Sequence, residues 1–173
     1  MTETSKNTPI SVYAEATPNP SSLKFVVNKL LVRGHSFDFD SLENAVKSPI
    51  AVELFEMGFI SRVFIANNFI TLTKTEDKMW VELIPNLRKF IKDFLEDGKA
   101  LFADDISYED SNYTESDDDD EIVTKIKSLL NENIKPAVEM DGGAIDFNSY
   151  SEGVVSLTLK GACSGCPSAT VTL

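Results

Sequence analysis

The chain of 173 residues has few of the side chains that most often carry chemistry, with two cysteines and one histidine. It has no apolar run long enough to span a bilayer, and its start, "MTETSKNTPISVYAEA", lacks the features of a secretory signal and the arginines of a transit peptide. We therefore expect a soluble protein of the cytoplasm without a membrane partner. Because thiols stay reduced there, a close cysteine pair is more often metal-binding or redox-active than a disulfide.

Positive charge is also scarce in this sequence. Sixteen Lys and Arg residues stand against 28 Asp and Glu residues, which gives a net charge of -12. A chain with this balance is repelled by phosphate backbones, so nucleic acid is not an expected partner. Hydrophobic residues make up 42% of the chain, which is enough to build one ordinary core or two small ones.

Most of the negative charge lies in one segment. Between Asp104 and Glu121, ten of eighteen residues are acidic and none is Lys or Arg, and subtracting these charges from -12 leaves -2 for the rest. Self-repulsion and a lack of apolar residues favour an extended connector. We therefore predict an α+β protein of two small α/β domains, residues 1–103 and 121–173, joined by an acidic flexible linker at 104–120.

The first domain is predicted to alternate strands and helices. "ISVYAEA" and "SLKFVV" have strand composition and flank a turn at "TPNPSS", and "SRVFIANNFITLTK" predicts a hairpin that turns at Asn67 and Asn68. "DSLENAV" and "SPIAVELFEMG" predict two short helices. The second would have Ser48 as its N-cap, Pro49 in its first position and Gly58 as its stop.

A longer helix is predicted in "MWVELIPNLRKFIKDFLEDG", with Pro85 in its first turn. Its apolar residues recur at helical spacing: Ile84, Leu87, Ile91, Phe94 and Leu95. Nothing in the first domain has a catalytic pattern. His35, in the polar stretch "VRGHSFD", is expected to be an exposed loop residue, because a lone histidine rarely makes a metal site. Trp80 is expected in the core.

The second domain is predicted to be a helix followed by a hairpin. "EIVTKIKSLLNENI" has an apolar helical face that Pro136 interrupts, and "MDGGAIDF" predicts a tight turn at Gly142 and Gly143. "GAIDFNSYSEGVVSLTLKG" then predicts two strands. In the second strand Val155 and Leu157 point to the same face. We therefore expect one face of this hairpin to pack against the rest of the protein and the other to be exposed to solvent.

Both cysteines, Cys163 and Cys166, lie in the sequence "GACSGCPS". Gly161 and Gly165 flank this loop and allow backbone amides to approach whatever the sulfurs hold. Pro167 suits the first turn of a new helix, whose dipole would favour the thiolate of Cys166. Exposed glycine-rich loops of this kind argue against inert core packing.

Three active roles remain for the pair on these grounds. A thioredoxin-like dithiol typically has a proline between its cysteines, whereas Ser164 and Gly165 stand there. A structural zinc ion and an iron-sulfur cluster each need four ligands, whereas one chain has two cysteine sulfurs and no histidine near them in sequence. A second chain would complete either site, since a two-fold axis brings identical loops together.

The two domains resemble a known family. "MDGGAIDF" and "LKGACSGCPSATVTL" are similar to the C-terminal domain of the NifU-like (Nfu) iron-sulfur scaffold proteins, with its DGG and its GAC-x-GCPS loop. "TPNPSSLKF", "SPIAVELFEMGFISRVFIANNFITLTK" and Trp80 resemble the N-terminal domain of the same family. The family continues through a further helix and strand, so the resemblance also implies that the C-terminal domain is incomplete at Leu173.

The resemblance implies a scaffold or carrier and not an enzyme. It implies that a 4Fe-4S cluster, shared by a homodimer, is ligated by Cys163 and Cys166 of each chain and is transferred to apo iron-sulfur proteins. An upstream assembly system would supply the cluster, or it would be assembled in place. The alternatives are a thiol-disulfide oxidoreductase or a zinc protein that uses the same pair.

Overall fold

The computed structural model describes residues 8–104 and 120–167. Almost all of the predicted acidic linker and the predicted helix after Pro167 lie outside these residues. The described residues form an α+β protein with an N-terminal and a C-terminal domain. The predicted boundaries at 103 and 121 stay predictions.

The N-terminal domain is an antiparallel sheet with two helices on one face. Its strands are β1 (Val12–Ala16), β2 (Ser22–Val27), β3 (Ser36–Phe39), β4 (Ile60–Ala66) and β5 (Phe69–Lys74), and its helices are α1 (Pro49–Glu56) and α2 (Trp80–Glu96). The sheet has the order β1-β2-β5-β4-β3. Its first face and the helices enclose the main core, which includes Phe25, Val27, Ile50, Leu54, Val63, Ile65, Ile70, Leu72, Leu87, Ile91 and Phe94.

Several local predictions for this domain are confirmed. The β4–β5 hairpin turns at Asn67, whose φ of 43° is the left-handed conformation that asparagine tolerates. Pro49 begins α1, and Gly58, with φ of 80°, follows its end. Ser48 precedes α1, but its hydroxyl donates to the Leu101 carbonyl and makes no cap hydrogen bond to α1. Trp80 lies edge-on to Phe25 at the border of the core.

Other predictions for this domain are wrong. Residues 41–47 form turns and not a helix, because the Ser48 N–H donates to the Ala45 carbonyl three residues back and closes a tight turn. Strand β3 was not predicted, since its four residues sit in a polar context. Helix α2 begins at Trp80, so Pro85 lies in its second turn. Proline has no N–H, so the carbonyl of Val81, four residues before Pro85, has no helical hydrogen-bond donor. Val81 is exposed, and water can hydrate this carbonyl.

The C-terminal domain is a broken helix followed by a hairpin. Its elements are α3 (Glu121–Leu129), a π-helical turn (Leu130–Ile134), α4 (Lys135–Met140), β6 (Gly143–Ser151) and β7 (Val154–Gly161). The predicted interruption at Pro136 is confirmed: the proline lies in the first turn of α4, and the π-helical turn before it accommodates the missing N–H. None of the helices in the described part of the chain has the length and apolar character that crossing a membrane needs.

The predicted packed faces of this domain are only partly covered. Leu130 is buried, whereas Ile122 and Leu129 of the predicted helical face are about half exposed. Val155 in β7 is also exposed, and Leu157 is partly buried.

The C-terminal domain lies against the face of the N-terminal sheet that the helices leave open. We call this surface the second sheet face and define it by Lys24, Arg62, Phe64, Thr71 and Asp38. Strand β7 approaches β4 and β5 there. A small apolar cluster of Val26, Phe64, Ala66 and Phe69 contacts Ala144 at the start of β6. This contact places the chain segment after β7 at the second sheet face.

Candidate functional site

Residues 161–167, the cysteine loop, follow directly from β7. Both cysteines are free thiols; Cys166 is 7% exposed and Cys163 is half-buried. The loop is a pair of tight turns, in which the Ser164 N–H donates to the Gly161 carbonyl at 3.1 Å and the Cys166 N–H to the Cys163 carbonyl at 3.5 Å. The glycines at 161 and 165 have φ of 62° and 71°. Both thiols therefore belong to one short loop, as a ligand pair requires.

The DGG segment supports this loop and does more than turn the chain. The carbonyl of Gly142 accepts the Ala162 N–H at 3.2 Å. A Cβ at Gly143 would lie 2.6 Å from Cys163 Sγ and 2.6 Å from the Lys160 carbonyl oxygen. Only a residue without a side chain fits beneath the thiol. The sequence pattern predicted the turn but not this contact, because it depends on where the hairpin returns.

The protonation of Cys163 is set by its surroundings. Burial, together with smaller contributions from the charges of Asp141 and Cys166, raises the pKa of this thiol from an ordinary 9.0 to about 11. The thiol is therefore protonated at neutral pH, and metal binding has to displace its proton. The helix that was expected to favour the thiolate of Cys166 lies outside the described residues.

Three polar side chains of the N-terminal domain form hydrogen bonds to the cysteine loop. Asn19, 6% exposed, donates from Nδ2 to the Ala162 carbonyl at 3.0 Å. Arg62 Nη1 donates to Ser164 Oγ at 2.9 Å. An oxygen of Asp38 accepts the Gly161 N–H at 3.4 Å. Sequence reasoning missed all three, and "TPNPSS" predicted only the turn in which Asn19 lies.

Arg62 is held in place by Asp38. The two side chains form a bidentate pair, with Nε and Nη2 at 2.8 and 3.0 Å from the carboxylate oxygens. Burial lowers the pKa of Arg62, but its hydrogen bonds to Asp38 and the charges of Asp38 and Asp40 outweigh this and raise the pKa overall. The guanidinium that contacts Ser164 is therefore charged and fixed in orientation.

Histidine is not part of this site. His35 lies in the loop before β3 as predicted, but it is partly buried and not exposed. Across residues 8–104 and 120–167, no group of three or more His, Cys, Asp and Glu side chains is arranged to hold a metal. A site with four thiolates would accordingly need a second cysteine pair.

Known families account for both domains. Residues 12–98 match the family profile described as scaffold protein Nfu/NifU N terminal, and residues 126–173 match the NifU-like domain. The chain belongs to the Nfu/NifU family. It is 39% identical to NifU-like protein 4, mitochondrial, of Arabidopsis thaliana over 94% of this chain and 58% of that protein. It is 36% identical to the human NFU1 iron-sulfur cluster scaffold homolog, mitochondrial, over 94% of this chain and 63% of that protein.

This Nfu/NifU chain spans about three fifths of the length of the curated relatives that it matches. A solution NMR structure of a NifU-like protein from Saccharomyces cerevisiae superposes with a TM-score of 0.51 at 21% identity, covering 61% of this chain and 94% of that one. That likeness concerns the fold alone.

Proposed function

We propose that this chain is a non-enzymatic carrier that binds a 4Fe-4S cluster as cargo and passes it to apo iron-sulfur proteins. The observation that carries the proposal is the pair of free thiols in one glycine-bounded loop of an Nfu/NifU chain. The human relative is named an iron-sulfur cluster scaffold homolog, which supports the same class of function here.

The cluster would be shared by two chains. A 4Fe-4S cluster is held by four cysteine thiolates, and each chain supplies Cys163 and Cys166. A symmetric dimer brings two identical loops to one axis and completes the set.

Transfer would proceed by ligand exchange without a change in oxidation state. A thiolate of the recipient forms a bond to an iron atom as a cysteine thiolate of the carrier leaves and takes up a proton. The raised pKa of Cys163 favours this departure, because its released thiolate is readily protonated. Burial of the free thiol thus favours release of the cluster.

The same property argues against a thiol-disulfide oxidoreductase. An attacking thiol in that class has a lowered pKa, often near or below neutral pH, whereas the pKa of Cys163 is shifted upward to about 11. Slow reduction of an insulin disulfide by the reduced chain is the expected result. Rapid turnover in that assay would favour the oxidoreductase over the carrier.

The proposed partners are a second copy of the chain, apo iron-sulfur recipients and an upstream assembly system. Nucleic acid and membrane are not proposed as partners. The Arabidopsis and human relatives are named as mitochondrial proteins, whereas we propose the cytoplasm for this chain. Subcellular fractionation with detection of the endogenous chain tests this location.

Anaerobic reconstitution with ferrous iron and sulfide tests the proposed function. The expected product is brown and holds about four iron atoms per pair of chains. Cys163→Ser and Cys166→Ser are expected to remain nearly colourless, while Ser156→Ala, on an exposed part of β7, serves as a matched control that retains full cluster content. A wild-type chain that stays colourless and binds zinc tightly would support the zinc alternative.

A further inference from the structure

Four side chains of the second sheet face form one row across the sheet. Lys24 on β2 pairs with Thr71 on β5, Thr71 pairs with Phe64 on β4, and Phe64 pairs with Asp38 on β3. Residues that pair in register on neighbouring strands point to the same face. Every member of this row meets the C-terminal domain, so the row traces the contact between the two domains.

The β2 end of the row holds the end of α4. Lys24 Nζ donates to the carbonyls of Glu139 and Met140 at 3.1 and 3.3 Å. These carbonyls belong to the last turn of α4, where a cation is favoured by the helix dipole. Asn67 Nδ2 adds a hydrogen bond to Glu139 Oε2 at 3.2 Å.

The middle of the row fits two glycine backbones. A Cβ at Gly142 would lie 2.9 Å from Thr71 Oγ1, and a Cβ at Gly161 would lie 2.9 Å from the Phe64 ring. Both glycines have positive φ, 82° and 62°. The DGG turn and the start of the cysteine loop therefore lie on the sheet at a distance that side chains would prevent.

The β3 end of the row holds the cysteine loop itself. Asp38 accepts from the Gly161 N–H and orients Arg62, and Arg62 donates to Ser164, which stands between the two cysteines. Asn19, buried at the opposite side of the loop, binds the Ala162 carbonyl. Polar groups from two strands and one turn thus bind polar groups of three loop residues, Gly161, Ala162 and Ser164.

We propose that the second sheet face is an intramolecular binding surface for the cysteine loop of the cluster-free chain, and that the loop leaves this surface when two chains share a cluster. The second half of this inference rests on the proposed function; the first half does not. The reason for release of the loop is geometric. A shared cluster needs two cysteine loops facing each other, whereas here Ser164, between the cysteines, faces Arg62 of its own chain. Cys166 is also only 7% exposed in this position, so a second loop can reach both thiols only after the loop leaves the sheet.

Nuclear Overhauser effects in the isotope-labelled 173-residue chain test the surface directly. In the cluster-free chain we expect cross-peaks between the Phe64 ring protons and the α-protons of Gly161. In the reconstituted chain we expect them to be lost. Absence of these cross-peaks in the cluster-free chain would overturn the docking surface, and their persistence in the cluster-bound dimer would overturn release.

Thiol alkylation gives a second, independent readout. A hydrogen bond to a charged group shifts an equilibrium by about tenfold or more, so Arg62→Ala should raise the iodoacetamide labelling rate of Cys166 by about tenfold at constant pH. Ser164→Ala removes the acceptor but leaves the Arg62–Asp38 pair intact, and it should act in the same direction. Arg88→Ala is the matched control, because it removes an arginine whose hydrogen bond, to the Val12 carbonyl, lies away from the loop.

The variants separate docking from folding. Circular dichroism and Trp80 fluorescence report whether the N-terminal domain stays folded in Arg62→Ala; if it does not, Ser164→Ala decides the question. Unchanged labelling in Ser164→Ala, or an equal increase in Arg88→Ala, would contradict the docking surface. These measurements use the cluster-free chain, so a failure to bind any cluster would count against the proposed function and leave the test of docking complete.

Discussion

The sulfur of Cys163 lies against the backbone of Gly143, so close that a Cβ at Gly143 would stand 2.6 Å from it. The second glycine of the DGG segment is therefore the support for one of the two thiols. This relationship links two motifs that are twenty residues apart and explains why both belong to the site.

Replacement of Gly143 by alanine is expected to displace the cysteine loop. The added methyl group would also lie 2.6 Å from the Lys160 carbonyl, which is backbone and cannot move away cheaply. We expect Gly143→Ala to lose most of its cluster content on reconstitution, as measured by iron per chain. Gly153→Ala, in the β6–β7 turn where a Cβ meets nothing within 4 Å, is the control. It should cost some stability, because its φ is 83°, but should retain the cluster.

The raised pKa of Cys163 predicts a loss of stability at alkaline pH. The folded chain binds the thiol proton more tightly than the unfolded chain, so this contribution is present below pH 9 and is lost as pH rises toward about 11. Urea unfolding between pH 8 and 11 measures it. The wild-type chain should lose more stability over this window than Cys163→Ala, in which the titrating group is absent. Parallel curves for the two chains would contradict the assignment.

Asn19→Asp is expected to loosen the cysteine loop while keeping the turn. The carboxylate can still accept from the Ser21 N–H, as Asn19 Oδ1 does, but it cannot donate to the Ala162 carbonyl. We expect the free energy of local opening of the loop to fall by about 1–3 kcal/mol, measured by hydrogen exchange of the Ala162 and Ser164 amides.

Asn68→Asp makes the same chemical change at a residue whose side chain donates to the Val27 carbonyl, away from the loop. Its loop amides should exchange at the wild-type rate. If both variants accelerate exchange equally, the effect belongs to general destabilisation and not to the Asn19 contact.

Leu87→Ala is expected to destabilise the N-terminal domain without reducing the amount of cluster bound. Leu87 is fully buried on α2 against the first sheet face, so its truncation should cost about 2–5 kcal/mol of unfolding free energy. Urea unfolding followed by Trp80 fluorescence measures the cost. Under conditions where the domain stays folded, iron per chain should equal that of the wild type; a large loss of iron would mean that the core on the helix side contributes to binding.

Local patterns predicted much of the fold. The hairpin at Asn67, the strands β1 and β2 and the stop at Gly58 depend on residues next to one another, and the structure has them where they were expected. The two glycines that flank the cysteine loop were also expected from the sequence, because the backbone freedom of glycine depends on that residue alone.

The sequence could not predict the contacts that bring the loop to the sheet. Asn19 and Ala162 are 143 residues apart, and Arg62 and Ser164 are 102 apart. Neither pair has a local spacing, so only the packed structure joins them. The turns at 41–47 and the π-helical turn before Pro136 were missed for a related reason, since their hydrogen bonds override an otherwise helical pattern.

Native mass spectrometry of the reconstituted wild-type chain shows whether two chains share one cluster. We expect one species whose mass equals two chains plus a single 4Fe-4S cluster, with a monomer as the main cluster-free species. A cluster or metal ion carried by a single chain, or a dimer whose mass is unchanged in Cys163→Ser, would contradict it.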